Sequence, residues 1–172
     1  SNALIVKVTG ESDKNIDWSV SCFPVDSSGA LTSLDGQFNW YGSTTNNNLT
    51  EIFLDGISKR FFVTKELNHT FSIIARGIQT NSGGGGSVGD SRWFKIDGSI
   101  KNANGTTSLV GSNVTFDDGD ASTSMWDVQI TADDPNDSLK ISVQGENSKN
   151  ISWMITGYVS DASSPISYIP GD

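Results

Sequence analysis

Hydrophobic and polar residues alternate along most of the chain. Phe94, Ile96 and Ile100 are separated by polar or charged residues, and the stretch 126–131 shows the same pattern. Alternation with a period of two is typical of strands with one buried face, and nowhere do apolar residues recur at helical spacing over three turns. Further strands are predicted at 37–41, 49–54, 57–64, 70–79 and 107–116. The pattern predicts an all-β fold, an antiparallel β-sandwich, with an intertwined trimeric β-prism as the alternative architecture.

The connections between these strands are rich in glycine, asparagine and aspartate. Asp55-Gly56, Asn104-Gly105 and the acidic stretch 117–120 predict turns. The stretch 81–89 contains four consecutive glycines and predicts a flexible loop. It lacks the lysine and the following helix that a phosphate-binding loop needs.

The chain contains an internal repeat. Residues 4–18 match residues 139–153 at a constant offset of 135, with eight identities in fifteen positions. Each copy is predicted to form a hairpin whose second strand carries a tryptophan, Trp18 in one copy and Trp153 in the other. Repeats preserve core positions first, so these two residues are predicted to be core anchors. Trp126, on the apolar face of the strand at 126–131, is predicted to be a third core tryptophan. The identical pairs are Leu4 with Leu139, Val8 with Val143, Gly10 with Gly145, Glu11 with Glu146, Lys14 with Lys149, Asn15 with Asn150, Ile16 with Ile151 and Trp18 with Trp153.

The repeat suggests how the chain is divided. Residues 1–3, Ser-Asn-Ala, look like the remnant of a removed expression tag. Residues 4–25 are predicted to be the C-terminal hairpin of a preceding copy, 26–160 a complete β-module, and 161–172 a C-terminal tail. Cys22 aligns with Gly157, so we expect a small buried residue there and not a nucleophile.

Composition and charge exclude several classes of protein. The 172 residues include 20 acids and 11 bases, a net charge of −9, which argues against nucleic acid or an anionic membrane as partner. The single cysteine and the single histidine exclude an internal disulfide and any metal site that needs two of either residue. No apolar run reaches about 18 residues, so no membrane insertion is predicted. His69 precedes a predicted strand and is expected at the surface or at a strand edge.

A series of short motifs extends from about residue 49 to residue 159. They are TEIFLDG at 50–56, WFKIDG at 93–98, TTSLVG at 106–111, WDV at 126–128, TADD at 131–134, LKISVQGE at 139–146 and ISW at 151–153. In this order they resemble a module found near the C-termini of bacteriophage tail proteins, including tail fibres. The resemblance implies a virion structural protein in the extracellular virion tail, a fibre or receptor-binding element that helps to attach the virion to its host. It brings no catalytic residues and no cofactor.

The resemblance also suggests partners. By analogy with fibres we expect a homo-oligomer, a trimer, and bacterial surface polysaccharide is a candidate partner. One alternative is a purely structural fibre module. Another is a polysaccharide depolymerase, which would need two carboxylates about 5–10 Å apart across a cleft. We expect the chain not to be an enzyme.

Two groups of residues are candidate sites. Trp40, Tyr41 and Trp93 adjoin polar residues and are candidate ligand-binding or interface residues, with burial as the alternative. Asp117, Asp118 and Asp120 provide closely spaced oxygen ligands of the kind that calcium takes, although the pattern is only part of a calcium loop. A turn is the alternative for these aspartates.

Overall fold

The computed structural model describes residues 36–161 as nine strands. Residues 1–35 and 162–172 lie outside the described residues, and with them the predictions for Trp18 and Cys22. The described residues contain no α-helix, only two one-turn 3-10 helices, at Ala121–Thr123 and Asp134–Asn136. The strands are β1 (Gly36–Thr44), β2 (Leu49–Ile52), β3 (Phe61–Phe62), β4 (Asn68–Gln79), β5 (Ser91–Ala103), β6 (Thr106–Gly119), β7 (Asp127–Asp133), β8 (Ser138–Gln144) and β9 (Ile151–Asp161).

The strands form two antiparallel sheets, which confirms the predicted all-β antiparallel fold. The larger sheet has the order β1-β9-β4-β5-β6. In the smaller sheet β8 is central, β7 pairs with one of its edges, and β2 and β3 follow each other along the other edge. Within the part of the chain described here, no helix is long and apolar enough to cross a membrane.

The core lies between the inner faces of the two sheets. Alternation turns Phe71 and Ile73 of β4 inward, and it does the same for Leu139 and Ile141 of β8. All four side chains belong to one cluster of buried apolar residues. Burial of each such side chain contributes about 1.5–3 kcal/mol.

Three tryptophans pack in this core. Trp126 and Trp153 contact each other edge to face, with ring centroids 5.8 Å apart. The indole N–H of Trp153 donates to the Thr44 hydroxyl at 3.0 Å. Trp40 packs over Gly157, where an added Cβ would lie 2.7 Å from Cζ3 of the indole. The missing side chain of Gly157 therefore leaves the space that Trp40 occupies.

The second copy of the repeat is not a hairpin, and that prediction is wrong. β8 and β9 follow each other in sequence, but β8 belongs to the smaller sheet and β9 to the larger one. The connection 145–150 crosses between the sheets as a β-arch. A hairpin and an arch share the same alternation on either side of a turn, so only pairing with distant strands distinguishes them.

Two further segments differ from their predictions. Of the predicted strand 57–64 only Phe61–Phe62 pairs with β8. The Asp55 carboxylate accepts the backbone N–H groups of residues 57–59 and holds them in a turn. The predicted turn at 117–120 instead belongs to β6 as far as Gly119, because residues 117–119 stay in register with β5.

Candidate ligand-binding face

The outer face of the larger sheet, the side turned away from the core, carries a row of large side chains. Tyr41 of β1, Met154 of β9, Arg76 of β4 and Trp93 of β5 are register partners on successive strands. We call these four residues the outer row. Because neighbouring strands lie about 4.8 Å apart, the row is roughly 14 Å long. All four side chains are exposed, Tyr41 to 47%, Trp93 to 41% and Met154 to 53%.

Trp93 is one half of a stacked aromatic pair. Its ring centroid lies 3.9 Å from that of Phe116 on β6, with 26° between the ring planes. Phe116 is the register partner of Lys95, so the two rings meet diagonally across β5 and β6. The contact fixes the indole on a rigid sheet, which provides a preorganised stacking surface.

Arg76 is the one charged member of the outer row. It lies on β4, the central strand of the larger sheet, with Trp93 and Met154 as its lateral neighbours. Ile74 and Ile78 flank it along the strand on the same face. Its guanidinium has no ion-pair partner within residues 36–161. Arg76 therefore presents an available charge within an apolar frame.

Asp97 lies on the same face but is held by other groups. A hydrogen bond from the Ser72 hydroxyl lowers the pKa of Asp97, and contacts with Lys95 and Thr115 lower it further. Lys95 Nζ is 3.3 Å from the carboxylate and the Thr115 hydroxyl is 3.2 Å from it. The charge of the Asp97 carboxylate is therefore already compensated by Lys95, and Asp97 is not an ion-pair partner of Arg76.

A groove opens beside the Tyr41 end of the outer row. It has a volume of about 380 Å³ and lies between β1 and β2, with Ser43, Glu51 and Phe53 in its lining. Arg60 binds Glu51 through hydrogen bonds of 2.7 and 3.1 Å, and its guanidinium carbon lies 5.0 Å from the centre of the Phe53 ring. The outer row thus continues into a concave end with hydroxyl and carboxylate groups.

The structure separates the three aromatic candidates. Tyr41 and Trp93 belong to the outer row, whereas Trp40 is 1% exposed and lies in the core. The prediction that Trp40 is a ligand-binding or interface residue is corrected, because neighbouring residues of a strand face opposite sides and Trp40 faces inward. Trp126 and Trp153, predicted to be core residues, are 3% and 1% exposed.

His69 also lies in the core and not at the surface or a strand edge. It is 0% exposed, and its ring meets Phe61 edge to face with centroids 5.6 Å apart. β4 begins at Asn68, and its odd-numbered residues face inward. His69 is the first of these residues, so its side chain points to the core.

The candidate calcium residues have separate partners. Asp117 pairs with Arg92 at 2.7 Å, and Asp120 accepts the backbone N–H of Ser91 at 2.7 Å. Asp118 accepts the N–H of the residue that follows it. In the part of the chain that the structure describes, no three histidine, cysteine, aspartate or glutamate side chains gather to hold a metal ion.

Sequence reasoning missed Arg76, Met154 and Phe116. A signal for Arg76 exists in β4, where Ile74 and Ile78 occupy outward positions that a solvent-facing strand usually fills with polar residues. Apolar residues on both faces of an antiparallel strand indicate a second contact surface.

Comparison with known proteins gives little further information. No protein-family model matches the chain, and no curated protein matches it in sequence. Among solved structures, the tailspike protein of Acinetobacter phage vB_ApiP_P1 is similar over 87% of this chain, with 15% identity and a TM-score of 0.29. The match covers 25% of the tailspike chain, so this chain spans about a quarter of that protein. A likeness at this level identifies neither a family nor a function.

Proposed function

We propose that this chain is a non-catalytic module of a bacteriophage tail fibre that helps to attach the virion to the surface of its host bacterium. The observation that carries the proposal is the outer row, which places Tyr41, Met154, Arg76 and Trp93 side by side on an exposed sheet face. The motifs between residues 49 and 159 that resemble phage tail modules supply the viral context.

The composition of the outer row is that of a recognition surface. Tyrosine, tryptophan, methionine and arginine are enriched at binding interfaces, and tryptophan, tyrosine and arginine dominate their binding energy. Contiguous exposed apolar surface on a soluble domain marks a contact site. The four residues lie on four paired strands, so their spacing is fixed before any ligand arrives.

Bacterial surface polysaccharide is the partner that we propose for this face. Sugar rings offer apolar C–H faces that stack on aromatic rings, and their hydroxyl groups bond to a few placed polar side chains. The outer row combines both features, and its length of roughly 14 Å suits an oligosaccharide better than a single sugar.

The proposal is tested with labelled protein and a panel of intact bacterial strains. We expect the protein to bind at least one strain and Trp93→Ala to reduce that binding by roughly five-fold or more, because an aromatic stacking contact contributes about 0.5–1.5 kcal/mol beyond the surface that it buries. Leu49→Ala is the matched control, since Leu49 is a 49%-exposed apolar residue on the smaller sheet. It should bind as the parent protein does.

Two results would contradict the proposal. Equal binding by the parent protein and Trp93→Ala would remove the outer row from the interaction. Shortening of purified surface polysaccharide during incubation would show a depolymerase and contradict the non-catalytic role.

A purely structural fibre module is the second candidate, and β6 favours it. Residues 110–119 of this edge strand are exposed on both faces, with Val110 and Val114 among them. Such an edge can pair with a strand of another chain. We propose a homotrimer on this basis, and light scattering should give a mass near three times 18.4 kDa. A monomer at all concentrations would contradict it.

A further inference from the structure

We infer that the outer row binds an acidic polysaccharide and that Arg76 binds a carboxylate of its sugar units. This inference rests on the proposed function and adds the chemical class of the ligand. Arg76 is the one charged residue of the outer row, so the role of binding a carboxylate falls to it.

The surroundings of Arg76 favour a carboxylate ligand. The planar guanidinium offers donors that match the two oxygens of a carboxylate. Ile74, Ile78, Trp93 and Met154 surround it on the same face, and no carboxylate within residues 36–161 pairs with it. A charge in such a partly apolar frame gains more from an incoming anion than a fully hydrated one.

The distribution of charge directs an acidic polymer to this face. The chain as a whole has a net charge of −9. The outward positions of the five described strands of the larger sheet carry three bases and two acids. These residues are Arg76, Lys95, Lys101, Asp97 and Asp118. This face is thus less acidic than the molecule as a whole, which favours it over the rest of the surface for an acidic ligand.

Trp93 is placed to hold the sugar ring beside Arg76. Phe116 stacks on one side of the indole, Trp93 remains 41% exposed, and Arg76 is its register partner on β4. Directly opposed residues have Cβ atoms about 5 Å apart. A uronic acid ring stacked on the open side of Trp93 therefore has its carboxylate within reach of the guanidinium.

A second copy of the chain fits this face less well. Two outer faces packed about a twofold axis would bring Arg76 of one copy near Arg76 of the other, because this residue lies on the central strand. On the paired strands β4 and β5, the acidic residue of this face is Asp97. Its carboxylate is already bound to Nζ of Lys95 at 3.3 Å. Repulsion between the two Arg76 guanidinium groups opposes such pairing.

The experiment compares two forms of one ligand by calorimetry. Oligogalacturonate carries a carboxylate on every sugar, and its methyl ester has the same sugars without the charge. We expect the parent protein to bind the acid roughly ten-fold or more tightly than the ester, since hydrogen bonds to charged groups contribute about 1.5–3 kcal/mol. Arg76→Gln should remove this preference, so that the variant binds the acid and the ester with equal affinity. Lys101→Gln, which removes another charge from the same face, should retain the preference.

Each outcome decides between the two proposals. Equal affinity of the parent protein for acid and ester, or an unchanged preference in Arg76→Gln, overturns the acidic ligand while a loss in Trp93→Ala still supports polysaccharide binding. Binding of neither form, together with no binding to bacterial strains, overturns both. Dissociation of an oligomer by Arg76→Gln shows that the outer row contacts a second copy and overturns the acidic ligand.

Discussion

Lys149 has an environment that is unusual for its residue type. Its side chain is 1% exposed, its Nζ lies 2.7 Å from Glu146 Oε2, and it donates a hydrogen bond to the carbonyl oxygen of Ser122. An added Cβ at Gly84 would lie 2.7 Å from Cγ of Lys149, so the glycine-rich loop closes against its aliphatic chain. One lysine side chain thus joins the β-arch, the glycine-rich loop and the 3-10 helix before β7.

We predict that Lys149→Met lowers the free energy of unfolding by about 2–3 kcal/mol in urea titrations. Loss of one partner of a buried pair costs about 3–5 kcal/mol, and the 28% exposure of Glu146 allows part of its charge to be hydrated. Lys140→Met is the control, because Lys140 is 40% exposed and 3.9 Å from Glu51, and it should cost under about 1 kcal/mol. Equal losses in the two variants would contradict a structural role for the buried pair.

The first copy of the internal repeat contains the same glutamate and lysine as the second copy, in addition to the matching tryptophan. Glu11 and Lys14 have the spacing of Glu146 and Lys149. In the connection of the predicted hairpin, Glu146 and Lys149 would be expected at the surface, because lysine and glutamate are rarely fully buried. The burial of Lys149 depends on the loop 81–90, which is distant in sequence, and so no local pattern predicts it.

At the scale of elements, the strands could be predicted and their partners could not. Alternation is local, so it located most of the strands that the structure describes. Pairing is not local, and the same pattern led to a hairpin where the chain forms a β-arch. The outer row shows the same limit, since Tyr41 and Trp93 come together only through the order β1-β9-β4-β5. The pairing of β1 within this sheet also decides which of its faces is buried, and therefore that Trp40 lies in the core.

The turn after β2 depends on one carboxylate. Hydrogen bonds from the backbone N–H groups of residues 57–59, that of Lys59 above all, lower the pKa of Asp55 from 3.8 to about 2. The lowered pKa means that the ionised form supports the turn at neutral pH. This support is complete above the pKa of the unfolded chain, near 4, and is lost as the pH falls through about 2.

We predict that carboxyl resonances of Asp55 titrate with a midpoint near 2 and that the amide protons of residues 57–59 exchange faster below it. Asp55→Ala should speed the exchange of the same amides at neutral pH, as measured by nuclear magnetic resonance. Asp127→Ala should leave them unchanged, because the Asp127 carboxylate accepts a hydrogen bond from the Gln129 side chain and not from this turn. A midpoint of Asp55 near 4 would disprove the proposed support.

At the scale of the whole molecule, attachment and assembly require different surfaces. The proposed trimer must leave the outer row open to bind polysaccharide, and among the described strands β6 forms one edge of the larger sheet. The end of this strand beyond Val110 has neither face covered, so a neighbouring chain could add to it without reaching Arg76. We therefore propose that the outer row binds the ligand and that the edge strand β6 makes the contacts of assembly.

If the chain forms the proposed trimer, we predict that Val114→Lys gives monomers of 18.4 kDa in light scattering. Val114 is 52% exposed and lies on the side of β6 opposite Phe116, where a lysine blocks edge pairing without touching the outer row. Binding of a short oligosaccharide per chain should be unchanged, and Val88→Lys, in the loop after β4, should leave the trimer intact. A trimer that survives Val114→Lys would place its contacts elsewhere. If Trp93→Ala alone produced monomers, the outer row would be the assembly surface, and the assignment of face and edge would be wrong.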